Sequence, residues 1–174
     1  MAEEGLCSPM ALILLSGRPG AGKTALGDWL AARRGFVHIE TDAKWSTWGP
    51  LVCVQSLEEA VATRNQTRAL GPNVVIEWGF RPDLIGCVRQ LRAAGFDAWW
   101  LDGDEAAARQ GYISRRGDSP SVMAAYRLQV EAIEAAWPKL ERFYVDHIIR
   151  TVAAGSTYVP FDEIASRMLS DVSG

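Results

Sequence analysis

Cysteine and histidine are scarce in this chain, with three of the first and two of the second in 174 residues. Cys7, Cys53 and Cys87 stand far apart, are odd in number and form no CxxC pair. Neither a disulfide framework nor a zinc site is expected from that pattern. Buried or idle thiols in a reducing compartment account for it, so a cytoplasmic location is the expectation. No apolar run approaches the ~20 residues of a membrane span. The opening MAEEGLCSPM is acidic and has no apolar segment of its own. The apolar run at 11–15 is too short for a secretory core, so no leader and no membrane association are expected. Internal repeats and low-complexity tracts are absent as well. Neither sign of charge dominates: 18 Lys and Arg face 21 Asp and Glu, a net charge of −3. That balance is too mild to argue for a nucleic-acid surface, although a local basic groove would not show in the sum. The remaining composition is that of an ordinary globular protein, 48% hydrophobic and 22% charged. The length suits one domain over 1–174, with residues 1–10 expected to be loosely ordered. Oligomeric state is not legible.

Strand-like and helix-like segments alternate. The continuous apolar run at 11–16 reads as a strand buried on both faces. A helix over 23–34 follows, stopped by Gly35. FVHIE at 36–40 reads as a second strand, and 41–55 as a loop punctuated by Gly49-Pro50. Ser56 with Glu59 three residues later is a capping-box pattern that opens a helix to about residue 70. VVIEW at 74–78 is a third strand, and Pro82 starts a helix that Gly95 stops. FDAWWL at 96–101 is a fourth strand, and Asp104 caps a helix reaching Arg115 or Arg116. After RRGDSPS, Ser119-Pro120 opens a long helix expected to end near Trp137-Pro138. HIIRTV at 147–152 is a fifth strand, and a closing helix covers 161–169. Strands alternating with helices of this length imply crossover connections and a parallel sheet between helical layers.

The stretch GRPGAGKT carries the clearest chemistry. Gly17, four residues, then Gly22-Lys23-Thr24 is the Walker A spacing, placed between a buried strand and a helix. Such a loop wraps backbone N–H groups around a nucleotide's phosphates, and the helix that follows aims its positive end at them. Gly17, Arg18, Pro19, Gly20, Ala21, Gly22, Lys23 and Thr24 are therefore the expected nucleotide-binding residues. Lys23 bridges the terminal phosphates and the Thr24 hydroxyl ligates Mg²⁺ in this reading.

Ligands of open parallel sheets bind beyond the carboxyl ends of the strands, and three such ends carry acids. Asp42, after the second strand, is the candidate general base for an acceptor hydroxyl; the same acid would also serve as a helix cap. Glu77, ending the third strand, is placed to hold Mg²⁺ through a water. Asp102 and Asp104 read better as capping residues. Arg115 and Arg116 flank a loop, about 115–121, able to fold over the phosphates as a small lid and neutralise charge on a moving phosphoryl group. Arg109 lies one or two helical turns earlier and is expected to point to the same place. Arg81 is a candidate clamp for a substrate anion. Of seven tryptophans, Trp45, Trp48 and Trp78 follow the acids closely, and an apolar acceptor pocket walled by them is one expectation. Simple packing is the other. Trp29, Trp99 and Trp100 read as core.

Taken together, LLSGRPGAGKTALGDWLA, IETD, VVIEWGF and the late RRGD loop resemble the small P-loop kinases of the nucleoside-kinase-like group. Among these, the resemblance is to the chloramphenicol phosphotransferase-like and zeta-toxin-like kinases and the P-loop domain of polynucleotide kinases. Such chains are often labelled AAA-family ATPases from the loop alone. The resemblance implies a three-layer α/β/α P-loop NTPase fold with a five-stranded parallel sheet in the order 2-3-1-4-5 and a mobile lid. It further implies ATP and Mg²⁺ as cofactors and phosphorylation of a hydroxyl, with Asp42 at the family's catalytic aspartate and Arg115 and Arg116 in its lid. Residues 153–158, Gly155 among them, fall where adenine packs. Two departures stand out. Polynucleotide kinases of this type often carry an arginine where this chain has Trp45, which favours a small-molecule acceptor over a nucleic-acid end. Glu77 replaces the more usual aspartate. The expected activity is an ATP-dependent phosphotransferase acting on a small-molecule alcohol. A kinase for a nucleic-acid end or nucleotide sugar, and a nucleotide-binding regulatory ATPase, are the alternatives.

Overall fold

The computed structural model describes residues 10–153 and 157–170. Its centre is strand β1, Leu12–Gly17, in which every residue is buried. That follows from the unbroken apolar run, since a central parallel strand is covered on both faces. β1 pairs in parallel with β3, Val74–Glu77, and with β4, Asp97–Asp102. β2, Val37–Glu40, joins β3 on one side, and β5, Ile148–Arg150, joins β4 on the other. The order β2-β3-β1-β4-β5 is the expected one. In this register Glu40 lies opposite Glu77, so two strands end together on the same rim of the sheet.

Helices cover both faces. α1, Lys23–Arg34, and α7, Phe161–Ser170, contribute to one core with Ile13, Leu15, Val75, Trp99 and Leu101. The opposite core gathers Leu12, Leu14, Ile76 and Trp100 with residues of α2, Trp45–Val52, α3, Leu57–Arg68, α4, Ile85–Ala93, and α6, Pro120–Phe143. Each fully buried Leu or Ile stabilises the fold by about 1.5–3 kcal/mol, so both layers are held chiefly by these side chains. α5, Glu105–Arg116, lies at the strand ends, capped by the Asp104 carboxylate, which accepts from the Ala107 N–H at 3.0 Å. A small antiparallel pair, β6, Val152–Ala153, with β7, Thr157–Tyr158, leads into α7.

Several expected boundaries shift. Residues 41–55 are not a loop: a 3-10 turn over Asp42–Lys44 runs into α2, with Pro50 inside the helix. Gly49 precedes that proline, and the Trp45 ring folds back against it, so a Cβ on Gly49 would lie 2.7 Å from the indole. The glycine thus eases the steric clash that a bulkier residue before proline would make. α6 does not stop at Pro138 but continues to Phe143. An interior proline costs about 3 kcal/mol, and the buried Leu140 and Tyr144 beyond it reward continuing. The fifth strand ends at Arg150 rather than 152. Among the described residues, no helix is long and apolar enough to cross a membrane.

Candidate active site

The glycine loop leaves β1 and enters α1 without any side-chain cap, and no acidic residue sits in the first helical turn. The first-turn N–H groups are therefore not competed for by the protein's own carboxylates. Gly20 is required twice over. Its φ is +82°, and a Cβ there would collide with the Ala108 carbonyl oxygen. α5 is thereby seated directly on the loop, with Gly111 against the Gly20 carbonyl, 3.2 Å from a hypothetical Cβ. This contact fixes the helix that carries Arg115 and Arg116.

Lys23 is buried, and its ammonium donates to the carbonyls of Gly17 at 3.1 Å and Arg18 at 2.9 Å. Burial pulls its pKa down to about 8, against the raising influence of the Glu77 and Asp42 carboxylates; the Arg115 charge lowers it further. Next to it, the Thr24 hydroxyl donates to Glu77 Oε1 at 2.7 Å and accepts from Arg115 Nη1 at 2.5 Å. Burial raises the Glu77 carboxyl above the usual range, opposed by the Thr24 hydrogen bond and the Lys23 charge, while nearby Glu40 raises it further.

Asp42 is positioned by Thr41. The Thr41 N–H and hydroxyl both donate to the Glu77 carbonyl, at 3.0 and 2.9 Å, which ties the end of β2 to the end of β3. The Asp42 carboxylate then lies over Gly79, where a Cβ would stand 2.6 Å from Oδ2. Lys23, Thr24, Glu77, Asp42 and Arg115 thus form one cluster, although they come from four separate stretches of the chain.

Other expected residues are placed elsewhere. Trp78 is not a pocket wall: it is 1% exposed, and its indole N–H donates at 3.0 Å to the Ser16 hydroxyl, which also receives the Tyr144 hydroxyl at 3.0 Å. The indole is drawn into the core because a buried N–H needs an acceptor, and Ser16 lies across the neighbouring strand. Trp48 packs on the core and lines a separate depression along β2, with His38 and Leu70. Trp45 is half exposed. Arg81 is exposed and engaged by Asp83 at 2.6 Å. Arg109 is exposed and absent from the pocket lining; its charge is felt instead at Tyr126. Arg116 is exposed, without the Thr24 contact its neighbour makes. The Arg18 side chain is engaged elsewhere, by Asp102 at 3.1 Å, Glu134 at 3.5 Å and the face of Trp137. Gly155 and Cys7 lie outside the described residues.

Beside the loop is a cavity of about 440 Å³ that runs from Gly20–Thr24 past Arg115 to Thr151, Tyr158 and Phe161. Asp28, Gly111, Thr151 and Phe161 had no expected role. Asp28 was discoverable, since it falls one helical turn after Thr24 on the same face. Thr151 and Phe161 come from distant segments, and no local pattern marks them.

The residues present fit a metal–nucleotide complex. The loop amides and Lys23 suit a polyphosphate, and Thr24 with Glu77 offers one hydroxyl and one carboxylate to a hard cation. No group of three or more His, Cys, Asp or Glu able to hold a metal exists among the described residues. Further ligands must therefore be phosphate oxygens and water, as Mg²⁺ prefers.

No family model and no curated protein matches the chain. Solved structures do. A gluconokinase from Sinorhizobium meliloti 1021 matches with a TM-score of 0.52 at 19% identity, over 95% of this chain and 93% of that one. Shikimate kinase from Acinetobacter baumannii, in complex with shikimate, matches with 0.59 at 16%, over 94% and 96%. Shikimate kinase from Bacteroides thetaiotaomicron gives 0.54 at 18%, also over 94% and 96%. At these identities the likeness is one of fold: the chain has the α/β fold of small P-loop kinases.

Proposed function

We propose that this chain is an ATP-dependent phosphotransferase that moves the γ-phosphoryl group of Mg-ATP to a hydroxyl of a small molecule, working in the cytoplasm. The observation that carries this reading is the placement of Asp42 at the same rim as Lys23, close enough for its charge to act on the ammonium. A base and a phosphate-binding cation at one rim are what in-line transfer to an alcohol needs. The fold shared with gluconokinase and shikimate kinase supports a small-molecule acceptor over a nucleic-acid end.

In this reading the Gly20–Thr24 amides grip the phosphates. The Lys23 ammonium moves from the Gly17 and Arg18 carbonyls to the β- and γ-phosphate oxygens. Mg²⁺, when bound, would be held by the Thr24 hydroxyl with the Glu77 carboxylate beside it, and would supply neutralisation of phosphate charge. The Asp42 carboxylate orients the acceptor hydroxyl and takes its proton as the new P–O bond forms and the bond to the β-phosphate bridging oxygen breaks. Arg115 stabilises the charge on the moving group, as arginines so placed do. The face of Tyr158 and the cavity around Thr151 and Phe161 receive the base.

The test is a panel of sugars, polyols and hydroxy acids incubated with [γ-³²P]ATP and the protein. Label transferred to one acceptor class, with little free phosphate, is the expected result. Label found only as inorganic phosphate across the panel would overturn the reading in favour of a hydrolysing regulator.

A further inference from the structure

The Thr24 hydroxyl has one proton and two lone pairs. The proton goes to Glu77 Oε1 at 2.7 Å, and a lone pair takes the Arg115 guanidinium at 2.5 Å. A divalent ion on the same oxygen would stand within a few ångströms of that guanidinium, like charge against like. Arg115 on Thr24 and a metal on Thr24 thus oppose one another. Nor can the protein outweigh this repulsion with ligands of its own, since the described residues offer no cluster of three metal-binding side chains. The helix that carries the arginine is also anchored close by. α5 is anchored on the loop through Gly20 and Ala108, and Gly111 faces the Gly20 carbonyl, so the last helical turn starts from a fixed base within reach of Thr24.

We propose that Arg115 competes with the divalent ion for the Thr24 hydroxyl, and that a γ-phosphate relieves the competition by drawing the guanidinium to itself. The inference rests on the nucleotide-binding reading of this site and adds a function to the lid arginine: it makes metal affinity depend on which nucleotide is present. With a triphosphate, Arg115 leaves Thr24 for the γ-phosphate and the metal holds firmly. With a diphosphate, Arg115 returns to Thr24 and loosens the metal, which favours release of the product complex. Arg116, exposed and without a contact to Thr24, takes no part.

Mn²⁺ binding followed by electron paramagnetic resonance tests this on the full chain, with ADP and with a non-hydrolysable ATP analogue. In the ADP complex, Arg115→Ala is expected to bind Mn²⁺ about tenfold more tightly than the unaltered protein, as removal of a like charge at contact distance requires. In the ATP-analogue complex, that gain should vanish. Arg116→Ala, the charge-matched control, should change neither. Equal Mn²⁺ affinity of Arg115→Ala and the unaltered protein with ADP overturns the proposal. So does an equal gain in Arg116→Ala, which would mark a general field effect. Nucleotide binding is measured separately by fluorescence titration without metal. If neither nucleotide binds either protein, the phosphotransferase reading falls and takes this one with it. If both bind and the Mn²⁺ affinities do not move, only the competition is refuted. Both substitutions remove exposed side chains, and circular dichroism confirms folding.

Discussion

At the scale of single residues, two side chains carry the proposed chemistry. Asp42 is placed at the rim by Thr41, whose two hydrogen bonds to the Glu77 carbonyl do not involve the Asp42 carboxylate. Asp42→Asn therefore keeps the local geometry and removes the proposed base. Turnover is expected to fall by about 10²–10⁴-fold with nucleotide affinity nearly kept, as checked by steady-state kinetics beside a binding titration. Lys23 makes the second prediction. Burial holds its pKa at about 8 against an ordinary 10.5, and a polyphosphate restores the charged form. Nucleotide binding should accordingly take up a proton between pH 8 and 10. Calorimetry in two buffers of different ionisation enthalpy will show it, and Lys23→Met should abolish it.

At the scale of elements, contacts between loop and helix decide more than propensity does. Gly20→Ala places a side chain both at a positive φ and against the Ala108 carbonyl. Gly35→Ala has the positive φ alone, with open space around its Cβ. The expected cost is about 1–2 kcal/mol for Gly35→Ala and clearly more for Gly20→Ala, read from denaturant midpoints. Trp78→Phe tests the corrected place of that residue. It should lower stability by about 0.5–1.5 kcal/mol through loss of the Ser16 hydrogen bond, with a further loss from the space the smaller ring leaves, while leaving the acceptor's KM unchanged. A pocket-wall residue would move KM instead. The glycine loop was legible because its residues are consecutive and their spacing is the mechanism. The strands were legible because burial on both faces leaves unbroken apolar runs such as 11–16. The Trp78 role was not, since its partner Ser16 is 62 positions away and an indole beside an acid looks the same in a pocket or a core. α2 escaped because Gly-Pro reads as a breaker, whereas here Gly49 makes room for both Pro50 and the Trp45 ring. The order of the sheet came from the resemblance; nothing in the spacing of strands dictates it.

At the scale of the whole molecule, the site and the fold share one stability. Keeping a buried ammonium charged opposes folding, so the unliganded chain carries this cost fully below pH 8. The unfolded chain binds more protons between about 8 and 10.5, so stability should rise with pH across that window. Thermal melts of the unaltered protein and Lys23→Met, compared over this range, isolate the contribution. Nucleotide at about 100 times its Kd adds ~2.7 kcal/mol, equivalent to about 5–10 °C for a chain of this size.

The seat of α5 on the phosphate loop also limits how the molecule opens. With Ala108 and Gly111 held at Gly20, only the stretch beyond them can pivot, and the four residues from Gly111 to Arg115 span about 6 Å of helix. An arm that short sweeps a few ångströms at its tip. Any movement of Arg115 is then that of a small latch, and in the proposed reaction its grip on a ligand counts for more than its travel.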